Sequence, residues 1–127
     1  MFEEFLNQDI KLTRKLLSLE KQIKKIISTI YLTIKKNNKV FICGNGGSAA
    51  DAQHLAAEFL VRLRPNINRR PLPLISLMQD SSTFSACSND YDFKYIFSRN
   101  LEAMANKNDL LICLSTSGNS KNIIEVL

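Results

Sequence analysis

The stretch from Val40 to Glu58, VFICGNGGSAADAQHLAAE, constrains this chain more than any other. An apolar run, VFIC, breaks at once into Gly44-Asn45-Gly46-Gly47-Ser48, and an alanine-rich helical pattern follows. Strand, glycine turn and helix is the layout in which backbone N–H groups at a helix N-terminus hold an anion. Ser48 or a near neighbour is expected to cap that helix, which should run to about Leu63. His54 and Glu58 lie four apart and so share one helix face, with Asp51 one turn earlier. A phosphate cradle beside a polar pair predicts chemistry on a phosphorylated small molecule.

The same layout returns later. Leu110 to Leu114 reads as a third buried strand and breaks into Ser115-Thr116-Ser117-Gly118-Asn119-Ser120, after which a helix is expected from Asn122. Between the two, Leu74 to Leu77 reads as a strand behind a polar loop bounded by Pro65, Pro71 and Pro73. Asp80-Ser81-Ser82 should start a helix through about Ala86, and Ser88-Asn89-Asp90 should break it. Phe93 to Met104 is helical again, with its apolar residues on one side. Strands alternating with helices predict an α/β fold, a parallel sheet flanked by helices, with ligands beyond the carboxyl ends of the strands.

Ahead of this lies an expected N-terminal helical arm, residues 1–38, with the α/β domain over 39–127. Leu12, Leu16, Leu19, Ile23, Ile26, Ile30 and Ile34 alternate steps of three and four and make one apolar stripe. A break near Leu19 to Lys21 is expected. Such a stripe packs on the chain's own sheet or pairs with another copy, so a homo-oligomer is expected. Three strands and a half-made last helix form a thin open sheet, so the domain is expected to be incomplete as it stands.

Composition narrows the rest. With 127 residues and 45% hydrophobic content the chain suits one globular domain. No apolar run approaches the ~20 residues of a membrane span. MFEEFLNQD is acidic and amphipathic and does not read as a signal peptide, so a cytoplasmic protein is expected. The net charge of +5 is carried largely by lysines and arginines of the arm. They read as a solvated helix face, and no nucleic-acid recognition motif accompanies them. Cys43, Cys87 and Cys113 lack CxxC spacing, and Cys43 and Cys113 read as small buried residues.

Several readings stay open on the residues alone. GNGGS is neither GxGxxG nor a P-loop, which weakens a nucleotide cofactor. The Ser115–Ser120 loop has the hydroxyls and N–H groups for a phosphate monoester, or it is simply a capped turn. His54 and Glu58 can supply two ligands to a zinc ion. Glu58 can instead be a general base, or a surface carboxylate paired with Arg62. Asn89 and Asp90 bind sugar hydroxyls or merely form a turn.

Three motifs together, CGNGGSAADAQHLAAE from Cys43, SNDYDFKYIFSR from Ser88 and STSGNS from Ser115, resemble the sugar-isomerase (SIS) domain family, and within it the sedoheptulose-7-phosphate isomerases. The resemblance implies a flavodoxin-like α/β sandwich assembled as a homotetramer. It implies conversion of sedoheptulose 7-phosphate to D-glycero-D-manno-heptose 7-phosphate, toward ADP-heptose and the lipopolysaccharide core. It implies that Asn45, Gly46, Gly47 and Ser48 form a substrate-binding turn, with Asn89 and Asp90 as further contacts. Ser115, Thr116, Ser117 and Ser120 match a phosphate loop, and Arg62 an arginine lining the site. His54 and Glu58 match two Zn²⁺ ligands, with Glu58 also touching substrate and moving its proton. The family's other zinc ligands, a glutamine and a histidine, come from a C-terminal third that this chain lacks. The expectation is therefore weak zinc binding and poor isomerisation by the 127 residues alone. The alternative is a sugar-phosphate-binding SIS module without catalysis.

Overall fold

The computed structural model describes residues 1–78 and 80–127. Two compact units emerge, Met1–Leu32 and Thr33–Leu127.

The first unit is helical. Helix α1 spans Phe2–Lys15, a 3-10 turn covers Leu16–Leu19, and α2 runs Glu20–Lys35. Glu3 and Glu4 sit in the first turn of α1 and Arg14 and Lys15 in its last, each suiting the helix dipole. The break falls a few residues ahead of the expected position. There the Ser18 hydroxyl donates to the Lys15 carbonyl at 2.7 Å, a local bond that competes with regular helix. Of the predicted apolar stripe, Leu12, Leu16, Leu19, Ile23 and Ile26 are exposed, and Ile34, in the second unit, is buried.

In the second unit α2 ends as its asparagines direct. Asn37 takes a left-handed conformation at φ 61°, a region short polar side chains tolerate. The Asn37 and Asn38 amides bond back to Ile34 and Thr33 carbonyls at 3.0 and 3.1 Å. Three strands follow: β1 (Val40–Gly44), β2 (Leu74–Ser76) and β3 (Leu110–Leu114). They form a parallel sheet in the order β2-β1-β3, with Cys43 opposite Cys113 and Gly44 opposite Leu114. Val40 to Cys43 are wholly buried, as a central strand covered on both faces requires.

Alternation along β1 sorts the two layers. Phe41 and Cys43 join a core with Leu77, Cys87, Ile96, Phe97, Ile123 and Val126. Leu77 follows β2, and the others come from helices α4 (Ser81–Asp90), α5 (Ile96–Met104) and α6 (Lys121–Glu125) or, for Val126, its C-cap. Val40 and Ile42 face the other way, toward α3 (Gly47–Leu60), which packs along all three strands. Its buried residues, Ala52 and Ala56, are small enough to let it lie close.

Several expected boundaries move. Helix α3 stops at Leu60, not about Leu63, because Arg69 and Leu72 take the last carbonyls (below). Helix α4 continues past Ala86 to Asp90, so Ser88-Asn89-Asp90 is its last turn and not a break. The Ser88 hydroxyl bonds back to the Phe84 carbonyl at 2.8 Å, satisfying itself inside the helix. A 3-10 turn, Phe93–Tyr95, precedes α5. Strand β3 is half-buried along its length rather than buried.

Candidate functional site

Glycine decides how β1 meets α3. A Cβ on Gly44 would lie 2.7 Å from the Ser48 carbonyl oxygen, so only glycine lets the strand end touch the helix start. Gly46 has φ 56° and is itself the N-cap of α3, with no side-chain cap. Its carbonyl accepts from Ala49 and Ala50 at 3.0 and 3.3 Å, which starts the helix. Ser48 thus lies inside the first turn, and no side chain of the turn is spent on capping. No acidic residue occupies that first turn. The free N–H groups and dipole at this end therefore favour an anion.

The second wall is the loop after β3. The Ser115 hydroxyl oxygen accepts from the Gly118 amide and the Ser117 hydroxyl oxygen from the Asn119 amide, each at 3.1 Å. Asn119 Nδ2 also donates to the Ser117 carbonyl at 2.9 Å. A hydroxyl that accepts from the backbone keeps its own proton to donate elsewhere. Ser120 is the N-cap of α6 yet makes no side-chain capping bond, which removes the simplest non-functional reading of its hydroxyl.

Between these walls lies a cavity of about 170 Å³, lined by Asn45, Ser48, Leu114, Ser115, Thr116, Ser117 and Ser120. It sits past the ends of β1 and β3, where the chain order of the sheet reverses, the usual place for a ligand in an open α/β sheet. Its lining is donor-rich and holds no carboxylate, as a phosphate monoester requires. Asn45 is braced from below. Its Nδ2 donates to Asn122 Oδ1 at 2.9 Å, and Asn122 Nδ2 donates to Asn45 Oδ1 at 2.8 Å.

His54 and Glu58 stand apart from this cavity. His54 Nε2 is 3.5 Å from Glu58 Oε1, with side chains 78% and 23% exposed. His54 is two residues from both Ala52 and Ala56, so it projects about 200° around the helix from each of these sheet-facing alanines. His54 therefore occupies the outer face of α3, Glu58 beside it is largely covered, and neither residue lines the cavity. Glu58 Oε2 is buried with no hydrogen-bond partner among the described residues, which is costly for a carboxylate oxygen and suits a cation or proton donor. The pair fits two ligands of a metal ion. Among the described residues no group of three or more His, Cys, Asp or Glu is placed to hold one, so the pair alone is not a complete metal site.

The remaining predicted residues fall elsewhere. Arg62 lies beyond the end of α3 and lines a separate cavity of about 220 Å³ with Leu63, Arg64, Ile67 and Arg69. Among the described residues the ion pair of Glu58 is with His54, not Arg62. Asn89 and Asp90 end α4, exposed, with Asn89 Nδ2 bonded to Asp90 Oδ1 at 2.8 Å. Cys43 and Cys113 have their sulfurs 3.7 Å apart. Hydrogen bonding to Cys113 and burial push the Cys43 thiol up, so it stays protonated and is no nucleophile. Sequence reasoning missed Asn122, which acts through a partner far along the chain, and took Arg69 only as one of a basic cluster with Arg62, Arg64 and Arg70 that could draw in an anion, whereas it donates to the backbone carbonyls of Phe59 and Glu58.

Known proteins share this fold. A family profile described as SIS domain matches residues 4–127. The phosphoheptose isomerase of Campylobacter concisus is 56% identical over 95 residues, 75% of this chain and 49% of the relative. That of Helicobacter pylori strain P12 is 44% identical over 123 residues, covering 97% of this chain and 63% of the relative. The solved phosphoheptose isomerase of Francisella tularensis superposes with a TM-score of 0.92 at 30% identity, over 98% of this chain and 65% of that one. That of Neisseria gonorrhoeae gives 0.88 at 32% identity, over 98% and 64%. The chain spans about half to two thirds of the length of these relatives. A parallel sheet whose two strand ends present a glycine turn and a serine loop to one cavity, matched by that profile over nearly every residue, places the chain in the SIS domain family.

Proposed function

We propose that this chain serves the isomerisation of sedoheptulose 7-phosphate to D-glycero-D-manno-heptose 7-phosphate, feeding ADP-heptose and the lipopolysaccharide core. One observation carries the reading: the carboxylate-free cavity of hydroxyls between the ends of β1 and β3. The names of the relatives, phosphoheptose isomerases, supply the seven-carbon sugar.

The cavity receives the phosphate. Donors from the start of α3 and from Ser115, Thr116, Ser117 and Ser120 neutralise it and fix the sugar's far end. Isomerisation moves a proton from C1 of the ketose to C2 through an enediol, while O2 gains a proton and O1 loses one, so the C2 carbonyl becomes a hydroxyl as the C1 aldehyde forms. A carboxylate can carry that proton, and Glu58 is assigned this step. His54 and Glu58 are also assigned as two ligands of a Zn²⁺ ion. Bound there, zinc would polarise the sugar carbonyl as a Lewis acid.

Because neither residue of the pair lines the cavity of its own chain, we assign the complete site to two copies, the cavity of one meeting the pair of another. The exposed apolar stripe of the first unit supports a homo-oligomer, with the tetramer implied by the family resemblance. A cytoplasmic setting follows from the substrate. Among the described residues no helix is long and apolar enough to cross a membrane.

The test is conversion of sedoheptulose 7-phosphate in D2O, followed by NMR. Deuterium at C2 of the aldose is expected, with turnover falling ~10²–10⁴-fold in Glu58→Gln. Binding without label would favour a non-catalytic module, and no binding at all would end the reading.

A further inference from the structure

We propose that Asn122 is a positioning residue for the sugar-phosphate cavity, acting through the side chain of Asn45. The inference rests on the reading of that cavity given above. Asn122 is 1% exposed and lies in the first turn of α6. Its amide does not cap the helix. It forms a closed pair with Asn45, each side chain donating to the other at 2.9 and 2.8 Å across 77 positions of sequence.

The pair joins the two walls of the cavity, since Asn45 follows β1 and Asn122 follows the serine loop. An amide side chain has two N–H donors and an oxygen with two lone pairs. The pair uses one donor and one lone pair of Asn45. Among the described residues one N–H and one lone pair of Asn45 remain, on a side chain that lines the cavity and is held in one orientation. A buried amide is costly unless bonded, and an apolar side chain would fill the same core volume. What the amide adds is orientation. With Asn122 truncated, Asn45 would regain its rotamers and have to give them up on each binding event.

The experiment measures the affinity of the full chain for sedoheptulose 7-phosphate and for inorganic phosphate by calorimetry. Asn122→Ala is expected to weaken sugar-phosphate binding about tenfold. The nearly isosteric Asn122→Asp should also weaken it, because a carboxylate cannot donate to Asn45 Oδ1. Should the alanine variant not fold, the aspartate variant carries the test. In an Asn45→Ala background, Asn122→Ala is expected to change affinity no further, whereas a merely structural role would lower it equally in both backgrounds. Wild-type affinity in folded Asn122→Ala or Asn122→Asp, or equal losses in both backgrounds, would overturn this inference alone. A wild-type chain that binds neither probe would overturn the cavity reading, and this inference with it.

Discussion

Asp109 shows how much one side chain outside the site can hold. Its Oδ1 accepts from the Lys39 amide at 2.7 Å, and its Oδ2 from the Asn106 amide and the Lys39 ammonium, each at 2.8 Å. The carboxylate, 4% exposed, thus ties the starts of β1 and β3. Burial pushes its carboxyl up, but the hydrogen bonds from Lys39 and Asn106 and the Lys39 charge outweigh that and hold it below the usual carboxylate range. A depressed folded value means the stabilisation is fully present above the unfolded value, about 3.9, and is lost as pH falls through the folded one. Asp109→Asn is expected to cost about 2 kcal/mol at pH 7 and to flatten the fall of stability below that unfolded value. Urea denaturation of both proteins at neutral and acid pH checks this. An aspartate in an NKND turn gave no sign of such a partner, since Lys39 is 70 positions away.

Helix α3 is the element on which both halves of the proposed chemistry ride. Its start was legible, because glycines and small polar residues after an apolar run have few other uses. Its end was not. Arg69 Nη1 donates to the Phe59 carbonyl at 2.8 Å, and Nη2 donates to that of Glu58. The Leu72 amide reaches the same Phe59 carbonyl at 3.1 Å. A guanidinium on the terminal carbonyls satisfies them and complements the helix dipole, so the chain leaves the helix at Val61. Arg69→Met is expected to cost about 1–2 kcal/mol and to speed amide exchange in the last turn of α3, read by thermal denaturation and deuterium uptake. Unchanged exchange at Val61 would show that Leu72 suffices. Helix α4 teaches the reverse lesson: Ser88-Asn89-Asp90 carries turn residues, yet packing of Cys87 in the core keeps that turn helical.

For the whole molecule, the stripe on the first unit is the feature a single chain leaves unexplained. Leu12, Leu16, Leu19, Ile23 and Ile26 repeat at helical spacing and are all exposed. An exposed apolar face of this kind is what the proposed assembly would cover. The chain is expected to sediment as a multimer, and Ile23→Lys with Ile26→Lys to shift it toward monomer while helical content persists. If the assembly completes the site as proposed, turnover should fall with dissociation, and a monomer with full turnover would separate the two.

What the sequence by itself determined is the set of features that neighbours along the chain enforce. These are the strand–turn–helix units at Val40 and Leu110, the apolar period of the helices, the i, i+4 pairing of His54 with Glu58, and the polar turns that make the cavity. Each rests on backbone geometry repeated over a few residues, so it shows in spacing alone. Only the tertiary structure decided which groups meet across the fold. The order β2-β1-β3 sets Cys43 against Cys113, Lys39 against Asp109 and Asn45 against Asn122. It also turned His54 to the outer face of α3 and left Glu58 largely covered beside it, because the small alanines of that helix take the sheet. Contacts of this kind depend on which strand lies beside which, a choice made by burial of the whole core rather than by any local run of residues.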